Sequence, residues 1–211
     1  MKTPAALVAL ALVVLAGCGG TASPSPSASA VASASAAPAS AAAPSSAPSV
    51  AGPGGSGIVD RLPHDDPGLE ARLPREVDGQ ALAIFSVGPI SVAGNPGADP
   101  VKDLAKEIGD GTGDFGLAFA NNPLAPSYNI FALRVPGAEA AELVRRYGEL
   151  TVADTTGAKA ESVTIGGKEM IHVTVPFNPI GDVWIYATGD TLFGVQAGSP
   201  ERATALLALL P

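Results

Sequence analysis

The chain has 211 residues, a formal charge of −8 and one cysteine. A single cysteine cannot form an intramolecular disulfide, so the fold must be stabilised by packing alone. The only basic residue before position 58 is Lys2, so eleven basic and twenty acidic side chains follow, a formal charge of −9. This balance excludes nucleic acid as an expected partner, because phosphate binding needs clustered lysine and arginine.

The first seventeen residues have the pattern of a cleavable export signal. Met1 and Lys2 are followed by an uncharged apolar run over residues 5–16. The run has twelve residues, whereas a helix needs ~20 to cross the hydrocarbon core, and no cluster of positive residues follows it. We therefore predict a signal peptide over 1–17.

The end of this segment carries a more specific motif. Leu15, Ala16, Gly17 and Cys18 stand in sequence where a signal-peptide cleavage site belongs. They resemble the lipobox of bacterial lipoproteins, and the resemblance covers only this segment. It implies that Cys18 becomes the first mature residue and carries diacylglycerol and palmitate-type acyl chains. Two or three such chains would anchor the protein stably to the extracytoplasmic face of a cell membrane. The alternative is an unmodified cysteine behind an ordinary signal peptide.

A second zone, residues 18–57, follows the lipobox. Positions 19–57 contain only Ser, Ala, Pro, Gly and Thr apart from Val31 and Val50. Such a composition offers little apolar surface to offset the entropy of ordering, so we predict a disordered tether. An O-glycosylated stalk is the alternative.

Residues 58–211 are predicted to form a single globular α+β domain. Three helices are expected. The first has Asp99 as N-cap, Pro100 in its first turn and Gly109 at its end. The second opens at Pro136-Gly137, runs to about Glu149 and directs Ala141, Val144 and Tyr147 inward. The third begins at Ser199 and Pro200 and buries Ala203, Leu206, Leu207 and Leu210.

Between the helices the apolar residues alternate, which predicts strands over 80–87, 115–120, 128–135, 168–175, 183–188 and 191–197. Three dipeptides, Asp78-Gly79, Gly166-Gly167 and Gly189-Asp190, have the residues that tight hairpin turns need. Short strands before the first two turns would complete two more hairpins. We expect an antiparallel sheet of about 6–8 strands with helices packed on one face.

The domain also contains a possible internal repeat. Residues 77–87 align without gaps on 165–175, and 130–144 align on 192–206. A duplication would give two hairpin-hairpin-helix halves, over 73–150 and 160–211, related by a pseudo-twofold axis. Chance similarity between two amphipathic hairpins explains the match equally well.

Motifs of known chemistry are mostly missing. The sequence has no H-E-x-x-H, no G-x-S-x-G and no spaced cysteines, so no metal site, cofactor or catalytic residue is predicted. A glycine-rich cluster over 109–114 ends a helix and enters a strand, the reverse of a phosphate loop. It lacks the glycine and glutamate of a calcium loop, so we interpret it as a connection.

Four residues remain as candidates outside the lipobox. His64 lies in a His-Asp-Asp turn near the tether, and we expect it to be hydrogen-bonded or solvated rather than a metal ligand. His172 alternates with Ile171 and Val173, which predicts a solvent-side position. Trp184 and Tyr186 share one strand face. With His172 they could form a binding surface, although core packing under a helix is the expected alternative.

These observations favour a non-enzymatic binding or interaction module held on the cell envelope, with a ligand or protein partner that the sequence does not identify. The first alternative is a carrier of an apolar ligand between sheet and helices, which predicts an enclosed cavity of several hundred Å³. The second alternative is an enzyme that uses carboxylates with His172 as its base.

Overall fold

The structure, a computed structural model, describes residues 61–122 and 127–211. It contains helices α1 to α4, which are Pro67–Glu70, Asp99–Ile108, Ala140–Asp154 and Pro200–Leu207. A short 3₁₀ turn, Pro96–Ala98, leads into α2. Strands β1 to β9 are Glu76–Val77, Gln80–Ala81, Ala83–Val87, Gly116–Asn121, Tyr128–Arg134, Lys159–Ile165, Lys168–Thr174, Asp182–Thr188 and Thr191–Ala197.

Seven strands form one antiparallel sheet in the order β3-β4-β5-β9-β8-β7-β6, and β1 pairs with β2 in a separate ribbon. The predicted α+β class and the predicted size of the sheet are confirmed. The three predicted turns connect β1 to β2, β6 to β7 and β8 to β9. All three turns contain glycine at positive φ, and Asp78 also adopts it, at 53°. This agrees with the residue preference of two-residue hairpin turns.

The helices cover both faces of this sheet, so the expectation of helices on one face is wrong. Helices α1 and α4 pack on the face that carries Phe193 and Trp184, which we call the α4 face. Helices α2 and α3 pack on the face that carries Phe131 and Ile185, which we call the α3 face. The reason is visible in β5, where six consecutive residues are buried. A strand that is apolar on both sides needs cover on both sides.

The proposed duplication is not supported by this arrangement. β5 and β9 are antiparallel neighbours at the centre of the sheet. A twofold axis between them would keep both following helices on one face, but α3 and α4 lie on opposite faces. The hairpins that align in sequence also differ, because β1 and β2 form a separate ribbon while β6 and β7 belong to the main sheet. Similarity of amphipathic patterns explains the match.

The helix boundaries correct two sequence predictions. Asp99 is the first residue of α2 and not its N-cap, which is Ala98 without a side-chain cap. α3 begins at Ala140, because Gly137 has φ of 82° and continues the preceding turn. α3 also extends beyond Glu149 to Asp154.

Burial along the helices follows the prediction only in part. In α3, Ala141 is exposed, contrary to the prediction, whereas Val144 and Tyr147 pack against the core as predicted. The buried residues of the helix are Leu143 and Gly148. α4 matches the prediction. Ser199 Oγ accepts the N–H of Arg202 at 3.3 Å, and the four predicted apolar residues are buried.

The two outer edges of the sheet differ. At the β3 edge, the backbone N–H of Ser86 donates to the carbonyl of Pro63 at 3.0 Å, and the N–H of Asp65 donates to the carbonyl of Ser86 at 3.3 Å. The incoming chain therefore covers β3 with a short parallel bridge. At the other edge, β6 pairs with β7 only, within the part of the chain that the structure describes.

Candidate functional site

The predicted lipid site, Leu15, Ala16, Gly17 and Cys18, lies outside the described residues, as do most of the predicted tether and the signal segment. Over 61–122 and 127–211, the structure contains no helix of the length and apolarity that crossing a membrane requires.

The aromatic residues singled out in the sequence belong to the core. Trp184 and Tyr186 share the α4 face, as predicted, but they are only 2% and 3% exposed. Tyr186 stacks on Phe193 with ring centroids 5.5 Å apart, and its hydroxyl donates to the carbonyl of Pro211 at 2.7 Å. Core packing, the alternative to an exposed aromatic patch, describes both residues.

His172 lies at the centre of a polar cluster that spans three strands. Its ring stacks on Trp184, with centroids 4.7 Å apart and an interplanar angle of 8°. Nδ1 lies 3.0 Å from Glu161 Oε1 on β6, and Nε2 lies 3.0 Å from Asp182 Oδ2 on β8. The side chain is 15% exposed, so the prediction of a solvent-side residue is wrong. The indole and the two carboxylates cover it.

This geometry restricts what His172 can do chemically. Each ring nitrogen lies within hydrogen-bonding distance of a carboxylate oxygen, so neither nitrogen is left free to face a substrate. No hydrogen bond within the described residues joins His172 to a serine, threonine or cysteine. The cluster joins β6, β7 and β8 and has the arrangement of a structural ion network.

His64 is half exposed and lies at the edge of a second network, whose members Asp66, Glu70 and Ser86 are buried. Its Nδ1 lies 2.9 Å from Glu70 Oε1, and that oxygen also accepts the hydroxyl of Ser86 at 2.6 Å. Ser86 Oγ accepts the N–H of Asp66 at 2.7 Å, and Asp66 pairs with Arg134 at 2.7 Å. Ser86 is fully buried and donates to a carboxylate rather than to a histidine, so this is not a nucleophile with its base. The network fixes α1 to β3.

Metal binding has no support in the described part of the chain, where no group of three His, Cys, Asp or Glu side chains converges. The glycine-rich cluster forms the loop between α2 and β4, as predicted. Asp110 Oδ1 accepts both the N–H and the hydroxyl of Thr112, at 3.0 and 2.6 Å. These bonds lower the pKa of Asp110 and close the loop on itself.

A surface groove lies on the α3 face, and we call it the α3–β6 groove. Its volume is about 620 Å³. The first turn of α3 forms one wall, and β6, β7 and Ala187 of β8 form the floor and the other wall. The lining residues are Ala140, Ala141, Val144, Ser162, Val163, Thr164, Glu169, Met170, Ile171 and Ala187.

The chemistry of this groove is simple. Its wall on α3 is made of small side chains, and its polar groups are two hydroxyls, Ser162 and Thr164, and one carboxylate, Glu169. Glu169 is exposed and forms no ion pair within the described residues. The register places Thr164 opposite Glu169, so both project to the α3 face. The groove therefore offers one negative charge and two neutral hydrogen-bonding groups.

A second groove, of about 430 Å³, lies between α2 and α3. Its charged groups pair with each other, because Arg146 binds Glu107 on α2 and Glu149 on its own helix. Burial raises the pKa of Asp154 at its end. Since its basic group is already neutralised by carboxylates, this groove is the weaker candidate.

Sequence reasoning missed the residues of the α3–β6 groove. Ala140, Ala141 and Ser162 are common surface residues, and their meeting depends on how α3 crosses β6 and β7. The Glu161–His172 contact could have been found, because the Gly166-Gly167 turn sets the register that places these two residues opposite each other. No family model, curated protein or solved structure matches this chain.

Proposed function

We propose that the protein is a lipoprotein of the bacterial cell envelope, anchored on the extracytoplasmic face of a membrane through acylated Cys18, and that its globular domain is a non-enzymatic binding module. The anchor rests on the sequence Leu15-Ala16-Gly17-Cys18 behind a short apolar segment. The binding role rests on the α3–β6 groove.

The groove supports a binding role by its size and by its unused polar groups. A volume of about 620 Å³ falls within the range of small-ligand sites, about 300–1,000 Å³. Ser162, Thr164 and Glu169 leave hydroxyl and carboxylate groups free to orient a ligand, while Ala140 and Ala141 leave room for it.

The two alternative functions have less support. An apolar carrier needs an enclosed apolar cavity, whereas the α3–β6 groove opens at the surface and contains Glu169. Between sheet and helices, Leu143, Ile185 and Phe193 are fully covered by packed neighbours. A hydrolytic enzyme based on His172 lacks a free ring nitrogen, since Glu161 and Asp182 occupy both.

A fragment screen by amide chemical shifts tests the binding role. Fragments that bind should change the amide chemical shifts of Ala141, Ser162 and Thr164. Ala141→Trp should weaken the binding of these fragments at least tenfold, because an indole fills the groove. Ala205→Trp is the matched control, since Ala205 is exposed on α4, on the other face of the sheet. Binding that survives Ala141→Trp, or no shift at the groove from any fragment, contradicts the proposal.

Mass spectrometry of protein from native cells tests the anchor. The mature chain should begin at Cys18 and carry the mass of a diacylglyceryl group, and Cys18→Ser should abolish that mass. A mature chain that begins before Cys18 refutes the assignment.

A further inference from the structure

The outer side of β6 offers unused backbone hydrogen-bonding groups. Ile165 and Lys168 flank the Gly166-Gly167 turn and face each other, so their N–H and C=O groups bond across the hairpin. Alternation along an antiparallel pair then directs the N–H and C=O groups of Thr164, Ser162 and Ala160 away from β7. No other described strand pairs with them.

An uncovered strand edge is a template for a further strand. The β3 edge is closed by the segment that contains Pro63, but β6 presents seven residues, Lys159–Ile165. Its charged side chains, Lys159 and Glu161, lie on the α4 face, because Glu161 is opposite His172. On the α3 face, β6 presents only Ala160, Ser162 and Thr164. These small residues leave the edge accessible from the side of α3.

The free edge and the α3–β6 groove are two parts of one surface. Ser162 and Thr164 contribute their outward backbone groups to the edge and their side chains to the groove. A strand added to β6 would lie about 4.8 Å from it and would direct every second side chain toward the first turn of α3. These side chains would meet Ala141, which is exposed, and Val144, which is partly exposed. Main-chain pairing would provide affinity, and the groove would select side chains.

We propose that the ligand of this module is an extended, basic polypeptide segment of another protein, which adds to β6 as an eighth strand of the main sheet. This inference rests on the proposed binding function. Basic character follows from charge, because Glu169 is the only charged residue that lines the groove, and residues 58–211 carry −9. A lysine or arginine in the added strand would pair with Glu169.

Charge also excludes the two occupants that the chain itself could supply. The tether, residues 19–57, has no basic residue and contains six prolines, which suit strand pairing poorly. A second copy would bring together two domains of the same negative charge.

Selection from a phage library of random dodecapeptides tests the proposal, with the chain from Cys18 to Pro211 held in nanodiscs as the target. Ser162→Pro is the decisive variant. It removes one outward N–H while leaving the hydrogen bonds between β6 and β7 intact, a position where proline is tolerated in edge strands. Ser162→Ala, which keeps the N–H, is the matched control. Melting temperature and amide spectra establish that both variants are folded.

Selected peptides should carry lysine or arginine. They should bind at least tenfold more weakly to Ser162→Pro than to Ser162→Ala, because both variants lack the hydroxyl and only Ser162→Pro lacks the backbone N–H. Glu169→Lys should also weaken the binding of the selected peptides. The amides of Ser162 and Thr164 should become protected from hydrogen exchange in the complex. Equal binding to Ser162→Pro and Ser162→Ala overturns strand addition, as does a selection that enriches no basic peptide.

Methylated peptides make the test independent of any protein variant. In a strand added to β6, the backbone N–H groups of alternate residues point toward β6 and away from it. Methylation of the nitrogens that point toward β6 should abolish binding, and methylation of the nitrogens that point away should be tolerated. Unchanged binding of both sets of methylated peptides overturns the proposal. If fragments bind the α3–β6 groove while no peptide adds to β6, the binding function stands and the strand-addition inference fails. If neither binds, both fail.

Discussion

Gly194→Ala should destabilise the fold, although the same change is usually favourable in a strand interior. Gly194 lies in β9 directly opposite Phe131 of β5. The phenyl ring covers the glycine, so an added Cβ would lie 2.0 Å from Cζ and 2.3 Å from Cε1 of Phe131. The ring also packs on Tyr147, with centroids 5.9 Å apart, and is 6% exposed, so it has little room to move.

The magnitude follows from the displacement that the methyl group demands. Carbon atoms pack at about 3.5 Å or more, so the ring must shift by about 1.5 Å. Overpacking of this kind costs about 1–3 kcal/mol, against a gain of about 0.5–1 kcal/mol from replacing a strand glycine. We expect a net loss of about 1–2 kcal/mol in the free energy of unfolding. For a domain of this size, that lowers the melting temperature by about 2–8 °C.

Urea unfolding followed by the fluorescence of Trp184, the only tryptophan, measures this loss. Gly148→Ala on α3 is the matched control. Its Cβ would lie 3.4 Å from Ile171 Cγ2, an ordinary contact, so we expect a gain of about 0.5–1 kcal/mol from helix propensity. In a Phe131→Ala background the clash is absent, and Gly194→Ala should then be stabilising. A neutral or stabilising Gly194→Ala in the unmodified protein refutes this reasoning.

Two further expectations concern Phe177 and the tyrosines. Phe177 is fully exposed and has φ of 63°, so Phe177→Asn should raise the free energy of unfolding by about 0.5–1 kcal/mol. Ile90→Asn, at a residue equally exposed but without positive φ, should change it by less than about 0.5 kcal/mol in the same urea titration. A loss of stability in Phe177→Asn would contradict the strain argument. Burial raises the pKa of Tyr147 and of Tyr186 to about 12. Because the unfolded chain loses these protons near pH 10, their contribution is complete below about pH 10 and is lost as the pH rises toward 12. Phenolate absorbance from the folded protein at pH 10 equal to that of the unfolded chain would contradict this.

The hairpins were predictable from sequence because their determinants are local. Gly166, Gly167 and Gly189 provide the positive φ that a two-residue turn needs, and alternating residues flank the turns. Once such a turn is placed, it sets the register of the strands beside it. This is why the strand predictions agree with the structure to within about one residue, except where Leu82 separates β2 from β3.

The two-sided cover of the sheet was not predictable in the same way. β5 and β9 carry apolar residues at consecutive positions, which indicates burial on both faces but not which helix covers which face. α3 and α4 follow strands that are neighbours in the sheet, yet they turn to opposite sides. That choice depends on non-local packing, such as that of α3 on β8, which no short pattern encodes.

The candidate site was the least predictable part. The sequence candidates were Trp184, Tyr186 and His172, which were chosen because their residue types are rare in this chain. A rare aromatic residue is as consistent with core packing as with ligand binding. The α3–β6 groove instead depends on the small side chains of Ala140 and Ala141, next to a strand whose outer edge is not covered by any described strand. Sequence patterns report residues that are present, and a gap between two elements is set by how they cross.

The ladder between β7 and β8 has consequences for mechanical load. Only three residue pairs join these strands, against five to seven at every other junction of the main sheet. A pull between the incoming chain at β3 and a partner held on β6 acts across the sheet, along the hydrogen bonds, so each junction carries the full force in series. The shortest junction should separate first, and the contacts of His172 with Asp182 and Trp184, which both belong to β8, reinforce the sheet at that point.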